Sequence, residues 1–292
     1  MTRVAYVNGR FVPFNEAGVH IEDRGYQFAD GVYEVIAFAN SRLIDLAGHM
    51  IRLERSLGEL RIRRPLPPRS LELVMAEMIR RNRLSSGILY LQVTRGVARR
   101  DQAFPPQATP PALVMTVRTV HGPSDVMIAE GVSVVTVPDQ RWKRVDIKSI
   151  ALLPNVLAKQ EARAKRAFEA WMIDGMGNVT EGSSTNAWIV TKAGELITRN
   201  ATNAILNGIT RLAILSLAGE AGLDLTERPF SQVEATDAAE AFLTSTTSWV
   251  LPVVKIDGNR IGDGRPGPVS RRLRAAYADA IRAQIERHAR RA

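Results

Sequence analysis

Apolar positions along this chain change their period several times, and each change marks an element. Arg3 to Val7 and Val32 to Ala37 alternate as strands do, with successive side chains on opposite faces. From about Ala47 to Ile62 the period lengthens, and Met50, Leu53, Leu57 and Leu60 fall on one helical face. A second helix is predicted after Pro67-Pro68, with Ser70 as N-cap and Leu71, Val74, Met75, Met78 and Ile79 as its stripe. Ile88 to Thr94 and Leu113 to Arg118 are β-branched and apolar, and read as strands.

Past residue 120 the pattern resumes with a strand at Val132 to Val137 and a helix near Asn155 to Phe168. Short strands follow at Ala170 to Ile173, Ala187 to Thr191 and Glu195 to Ile197, then a helix from Thr210 to about Ala221. Ala241 to Thr244 and Val253 to Ile256 are strand-like, and Val269, Leu273, Ala276, Tyr277, Ala280 and Ile281 mark an amphipathic closing helix. Between the halves, Thr119 to Asp125 carries Gly122 and Pro123. The expected architecture is two α/β domains, 1–119 and 127–292, joined by a linker at 120–126.

Composition narrows the class. At 292 residues, 45% hydrophobic and 24% charged, the chain has the makeup of a soluble globular protein of two domains or one large one. No apolar run nears the roughly 18 residues a membrane span needs, and the first residues lack the apolar core of a secretion signal. Cysteine is absent, so disulfides and thiolate metal sites are excluded and a cytoplasmic setting is expected. The net charge of +9 raises nucleic acid as a partner, but the arginines are scattered, with short clusters at Arg61 to Arg64 and Arg287 to Arg291. Aromatic content is only 6%, so a basic stripe interleaved with rings is missing and nucleic-acid binding is disfavoured. Dinucleotide, P-loop, zinc-protease and serine-hydrolase motifs are absent, and the four histidines are too scattered for a metal site.

Candidate chemistry gathers around Lys148, one of only six lysines, in the run Arg141 to Ser149. A lysine nucleophile must be uncharged part of the time, which apolar surroundings favour, and Ile147 and Ile150 to Leu153 flank it. Glu181 stands in a turn-rich stretch, Thr180 to Asn186, where a fixed carboxylate can pair with a protonated ring nitrogen. Gly208-Ile209-Thr210 opens a helical pattern, and free amides at a helix start cradle anions. Ser245 and Thr246 add hydroxyls after a strand. Taken singly, these residues also read as a surface lysine, a turn glutamate, an N-cap threonine and a polar loop. Together they supply what pyridoxal 5'-phosphate asks for: an amine for its aldehyde, a carboxylate for its ring and a cup for its phosphate.

The chain resembles the fold-type IV pyridoxal-phosphate aminotransferases, and within them the D-amino acid transaminases. The resemblance covers nearly the whole chain. It is carried by Glu22 to Phe28, Asp30 to Val35, His49 to Leu53, Asp146 to Ser149, Leu157 to Ala162, Thr180 to Asn186, Gly208 to Arg211 and Thr244 to Ser248. It implies a small N-terminal α/β domain, a larger β-barrel-like α/β domain, and a homodimer with active sites at domain and subunit interfaces. It also implies that Lys148 holds the cofactor covalently and shuttles the substrate Cα proton, with Glu181 on the pyridine nitrogen. Arg52 holds the phosphate with the Ile209 and Thr210 amides, Thr246 and Ser245; Leu206 packs on the ring, and Tyr33 lines the substrate pocket. The implied reaction moves the amino group of a D-amino acid, such as D-alanine, to a 2-oxo acid.

One stretch departs from the pattern. Where the D-amino acid enzymes hold the substrate carboxylate with an arginine and a histidine two residues later, this chain has Arg100 and Gln102, flanked by Arg99 and Asp101. Gln102 offers a neutral hydrogen bond, weaker than a charge-assisted one, and Asp101 competes for Arg100. Arg24 is a further candidate for the carboxylate. On the same fold, the departure leaves an (R)-selective amine transaminase open, beside a branched-chain L-amino acid transaminase and an aminodeoxychorismate lyase.

Overall fold

The structure, a computed structural model, describes residues 3–289. Arg290 and Arg291 of the terminal basic cluster lie outside the described residues. The chain divides into two compact units. One comprises Met1–Val120, Ile147–Ala151 and Gln284–Ala292, the other His121–Asp146 and Leu152–Ala283.

The first unit opens on a hairpin that the alternation of apolar residues reached only in part. β1 (Val4–Val7) and β2 (Arg10–Pro13) pair around Asn8-Gly9, both at positive φ (47° and 93°), which these residue types accept and which suits the strand twist. After the short helix α1 (Arg24–Phe28), capped by the Asp23 carboxylate, come β3 (Gly31–Ala39), β4 (Arg42–Leu43), β5 (Gly87–Thr94) and β6 (Ala112–Arg118). They complete a six-stranded antiparallel sheet of order β2-β1-β6-β5-β3-β4. Helices α2 (Leu46–Glu59) and α3 (Pro68–Asn82) bury their stripes on one sheet face. Leu53, Leu57, Leu71, Met75 and Met78 meet Val32, Ile36, Leu89, Leu91 and Met115 there. α2 ends earlier than the apolar period indicates. Arg61 takes a left-handed conformation (φ 53°), and Ile62 then donates back to the Leu57 carbonyl while still packing into the core.

In the second unit, α4 (Asp125–Glu130) starts from Ser124, whose hydroxyl accepts from the Met127 N–H. The strands β7 (Val132–Pro138), β8 (Glu169–Ile173), β9 (Val179–Gly182), β10 (Asn186–Val190), β11 (Leu196–Thr198), β12 (Leu225–Glu227), β13 (Glu240–Ser245), β14 (Trp249–Ile256) and β15 (Asn259–Arg260) form one mixed sheet. Its order is β12-β11-β10-β13-β14-β7-β8-β9, with β15 on β14, and it curls so that β9 also lies against β10. Ala158 and Ala162 of α5 (Leu153–Ala164) cover the parallel β7–β8 pair. The other helices are α6 (Ile209–Glu220), α7 (Gln232–Asp237) and α8 (Pro268–Ala289), the last of which belongs to this unit only as far as Ala283. The architecture is mixed α/β, and the sheet of the second unit is curled and barrel-like. No described helix is long and apolar enough to cross a membrane.

Candidate active site

Lys148 is set by backbone pairing. Its segment runs along β3: the Tyr33 N–H donates to the Lys148 carbonyl at 3.0 Å, and the Ile150 N–H to the Gly31 carbonyl at 3.1 Å. The Lys148 N–H meets the Ser56 hydroxyl of α2 at 3.3 Å, and the neighbouring Ile147 is buried in the first core. The backbone is thereby anchored while the side chain stays half-buried. Its Nζ lies 4.2 Å from the Tyr33 ring centroid and, among the described residues, makes no hydrogen bond or ion pair. Tyr33 in turn leans on Tyr90, ring centroids 5.7 Å apart, and burial pushes the Tyr90 phenol up to about 12.

β3 alternates Val32, Glu34, Ile36 and Phe38 toward the core, so Glu34 puts a carboxylate where an apolar side chain is due. α2 answers it from one helical face. Arg52 donates Nε and Nη2 to the two Glu34 oxygens at 2.8 and 2.7 Å, and His49 Nδ1 lies 2.8 Å from Oε2. Burial alone pushes Glu34 up, but the charge and hydrogen bonds of Arg52, with His49, hold it at about 2. Burial pulls His49 down from its ordinary value. Arg52 is thus buried and fixed in orientation by Glu34.

Glu181 lies in the second unit, on β9, and is buried. Its oxygens accept from Arg141 Nη1, from the Asn186 amide at 2.9 Å, and from the Leu206 N–H at 3.1 and 3.2 Å. Burial raises its carboxyl above the ordinary range, against Arg141 and Leu206, which pull it down. Asn186 also donates to the Leu206 carbonyl at 2.9 Å, fixing the half-buried Leu206 beside the carboxylate. Nearby, Glu169 is fully buried and holds the turn before Asn186, accepting from the Ser183 and Ser184 hydroxyls and the Ala170 N–H.

α6 begins at Ile209 with no side-chain cap, so its first N–H groups lack partners within the helix. Gly208 is required there, because a Cβ would stand 2.2 Å from Asn186 Oδ1. Ile209 and Thr210 are both buried. Ser245 accepts from the Ser248 N–H at 3.1 Å, and the Thr246 hydroxyl has no hydrogen bond among the described residues. This donor set fits a phosphate, the unpaired Lys148 amine fits an aldehyde, and the raised Glu181 carboxyl fits a protonated ring nitrogen.

Arg100 sits on the loop after β5. Gly96 shapes that loop at φ 100°, where a Cβ would stand 2.0 Å from the Pro110 carbonyl oxygen. Arg100 is exposed, with its guanidinium 4.7 Å from the Phe28 ring centroid. Asp101 does not pair with it; the Asp101 carboxylate accepts from the Ala103 N–H at 3.0 Å. Arg24 is buried, donating to Asp30 at 2.8 Å and to the carbonyls of Asp101 and Gln102. It tethers the Arg100 loop, which removes it as a candidate for the substrate carboxylate. Glu34, Asp139, Arg141 and Asn186 escaped the sequence reading. Only Glu34 left a signal, as a charge on the apolar row of a strand.

The sequence profile of the family described as Amino-transferase class IV matches residues 31–256. The chain belongs to that family: it is a class IV aminotransferase, and the family works with pyridoxal phosphate. A D-alanine aminotransferase of Bacillus licheniformis is 42% identical over 275 residues, 94% of this chain and 95% of that protein. One of Staphylococcus haemolyticus is 39% identical, over 95% of this chain and 97% of that protein. Among solved structures, a branched-chain amino acid aminotransferase of Escherichia coli superposes with a TM-score of 0.87 at 25% identity, covering 96% of this chain and 95% of that one. A second branched-chain amino acid aminotransferase, solved with pyridoxamine 5'-phosphate, gives 0.87 at 27% identity, with 96% and 94% covered. One from the thermophilic archaeon Thermoproteus uzoniensis gives 0.85 at 26% identity, with 96% and 95% covered.

Proposed function

We propose that this aminotransferase moves the amino group of a D-amino acid, such as D-alanine, to a 2-oxo acid. The observation that carries the reading is the gap in similarity. D-alanine aminotransferases reach 42% identity over nearly the whole chain, whereas the branched-chain enzymes of matching fold stay at 25–27%.

Bound pyridoxal phosphate supplies the aldehyde that takes the amino group and a ring that withdraws electrons from the substrate Cα. The chain's own residues do the rest in this reading. Lys148 anchors the cofactor and its Nζ takes the Cα proton, a use that its lack of an ion-pair partner supports. Glu181 holds the ring nitrogen's proton, and Leu206 packs on the ring. The Ile209 and Thr210 amides, Ser245, Thr246 and Arg52 bind the phosphate. Tyr33 lines the substrate pocket, and Arg100, exposed and without a carboxylate partner among the described residues, takes the substrate carboxylate. The functional domains are 1–119 and 127–292 around the linker 120–126. The enzyme works as a cytoplasmic homodimer, on small molecules and not on nucleic acid.

Gln102 favours a second reading, an (R)-selective amine transaminase, because a weaker carboxylate trap tolerates donors that lack the carboxylate. Initial rates with D-alanine, L-leucine and a primary (R)-amine, each with 2-oxoglutarate, separate the readings. The proposal expects D-alanine to be fastest. Preference for the (R)-amine or for L-leucine moves the assignment accordingly.

A further inference from the structure

Glu181 shares its arginine with a second carboxylate. Arg141 donates Nη1 to Glu181, Nε to Asp139 Oδ1 at 2.9 Å and Nη2 to Asp139 Oδ2 at 2.7 Å. The Thr180 hydroxyl closes the group, donating to Asp139 Oδ2 at 2.7 Å and accepting from Arg141 Nη2 at 3.2 Å. Little of this touches solvent: exposure is 4% for the Arg141 side chain, 6% for Glu181 and 12% for Asp139. With all three ionised, the triad holds two negative charges and one positive. A surplus negative charge in a buried place is costly until a cation completes it. The Asn186 amide and the Leu206 N–H ease that surplus without neutralising it.

Asp139 receives the bidentate fork, the stronger geometry, while Glu181 receives a single guanidinium nitrogen. The surplus charge therefore resides on Glu181. We propose that Asp139, acting through Arg141, is a positioning residue that keeps Glu181 basic enough to hold a proton on the ring nitrogen of bound pyridoxal phosphate. The inference rests on the reading of Glu181 as the partner of that nitrogen. Without Asp139, the whole Arg141 charge falls on Glu181 and weakens it as an acceptor. The titration behaviour agrees. Burial raises Glu181, and Asp139 adds to the rise. Asp139 itself is lowered, its burial outweighed by the Arg141 hydrogen bonds and charge.

The test reads the proton directly. The protein is loaded with pyridoxal phosphate labelled with 15N in the ring, and the nitrogen shift is followed against pH in wild type, Asp139→Asn and Asp139→Glu. Asp139→Asn is expected to lower the pKa of the ring nitrogen by about one unit, a tenfold change in the protonation equilibrium, with the cofactor still held by Lys148. Asp139→Glu is expected to restore most of it, which a loss of packing alone would not produce. If Asp139→Asn fails to fold, Thr180→Val removes the Asp139 hydrogen bond without stranding a charge, and is expected to shift the titration the same way by less. An unchanged titration in whichever of the two variants folds overturns the inference. Glu181→Gln serves as the reference. If it too leaves the nitrogen unmoved, Glu181 is not the partner and the underlying reading falls as well; if only Glu181→Gln moves it, the inference about Asp139 falls alone.

Discussion

Two buried carboxylates, one in each unit, meet an arginine and end with opposite basicity. Glu34 takes both donors of the Arg52 fork together with His49, and burial, which alone raises it, is overcome so far that it titrates at about 2. Glu181 takes one donor from Arg141, whose fork is held by Asp139, and burial keeps it raised. The same two residue types thus leave one carboxylate well below its ordinary range and the other above it. What else the arginine holds decides which.

The largest expected effect comes from Lys148 in the first unit. Lys148→Ala should lower transamination on the order of 1,000-fold or more, with an unchanged circular dichroism spectrum, because it removes the proposed base. Arg52→Met strands Glu34 in the core and should cost about 3–5 kcal/mol of stability in urea unfolding.

The pH dependence sharpens the contrast through its sign. Glu34 is lowered from 4.5 to about 2, so its stabilisation is present above pH 4.5 and lost as pH falls toward 2, amounting to roughly 3 kcal/mol. Glu181 is raised, so its contribution runs the other way, greatest below its ordinary value and lost as pH climbs through the raised one. Unfolding free energies measured against pH should lose the acid slope in Glu34→Gln and the opposing slope in Glu181→Gln. A shared direction for the two variants would break the comparison. The smallest effect belongs to Arg100→Ala. It should raise KM for D-alanine about tenfold and leave a primary amine untouched, and equal effects on both donors would remove Arg100 from the carboxylate role.

Much of this was legible in the sequence because it rests on local pattern. The stripe from Leu71 to Ile79, the strand from Ile88 to Thr94 and the helix starting near Thr210 need only periodicity and a helix start; the last two lie within a residue of the structure, whereas α3 starts at Pro68, so that Ser70, expected as its N-cap, stands inside the helix. Boundaries slipped where a single backbone conformation decides, as at Arg61 after α2. The hairpin strand Arg10–Pro13 was missed, although Asn8-Gly9 announces its turn. Among the candidate residues, Lys148 and Glu181 stood out by their neighbours, while the partners that tune them did not. Asp139 lies 42 positions from Glu181, and its role depends on how β7, β8 and β9 pair, which no local period encodes. Arg24 misled for the same reason, since its tie to the carbonyls of Asp101 and Gln102 exists only in the folded loop.

The central claim, amino transfer from a D-amino acid onto a cofactor held by Lys148, is tested most directly by the absorbance spectrum of the purified protein loaded with pyridoxal phosphate. The spectrum is recorded before and after D-alanine is added without an acceptor. The account predicts a long-wavelength band that gives way to the shorter-wavelength band of pyridoxamine phosphate with D-alanine and persists with L-alanine. A long-wavelength band that ignores D-alanine, or a protein that takes up no cofactor, would contradict it.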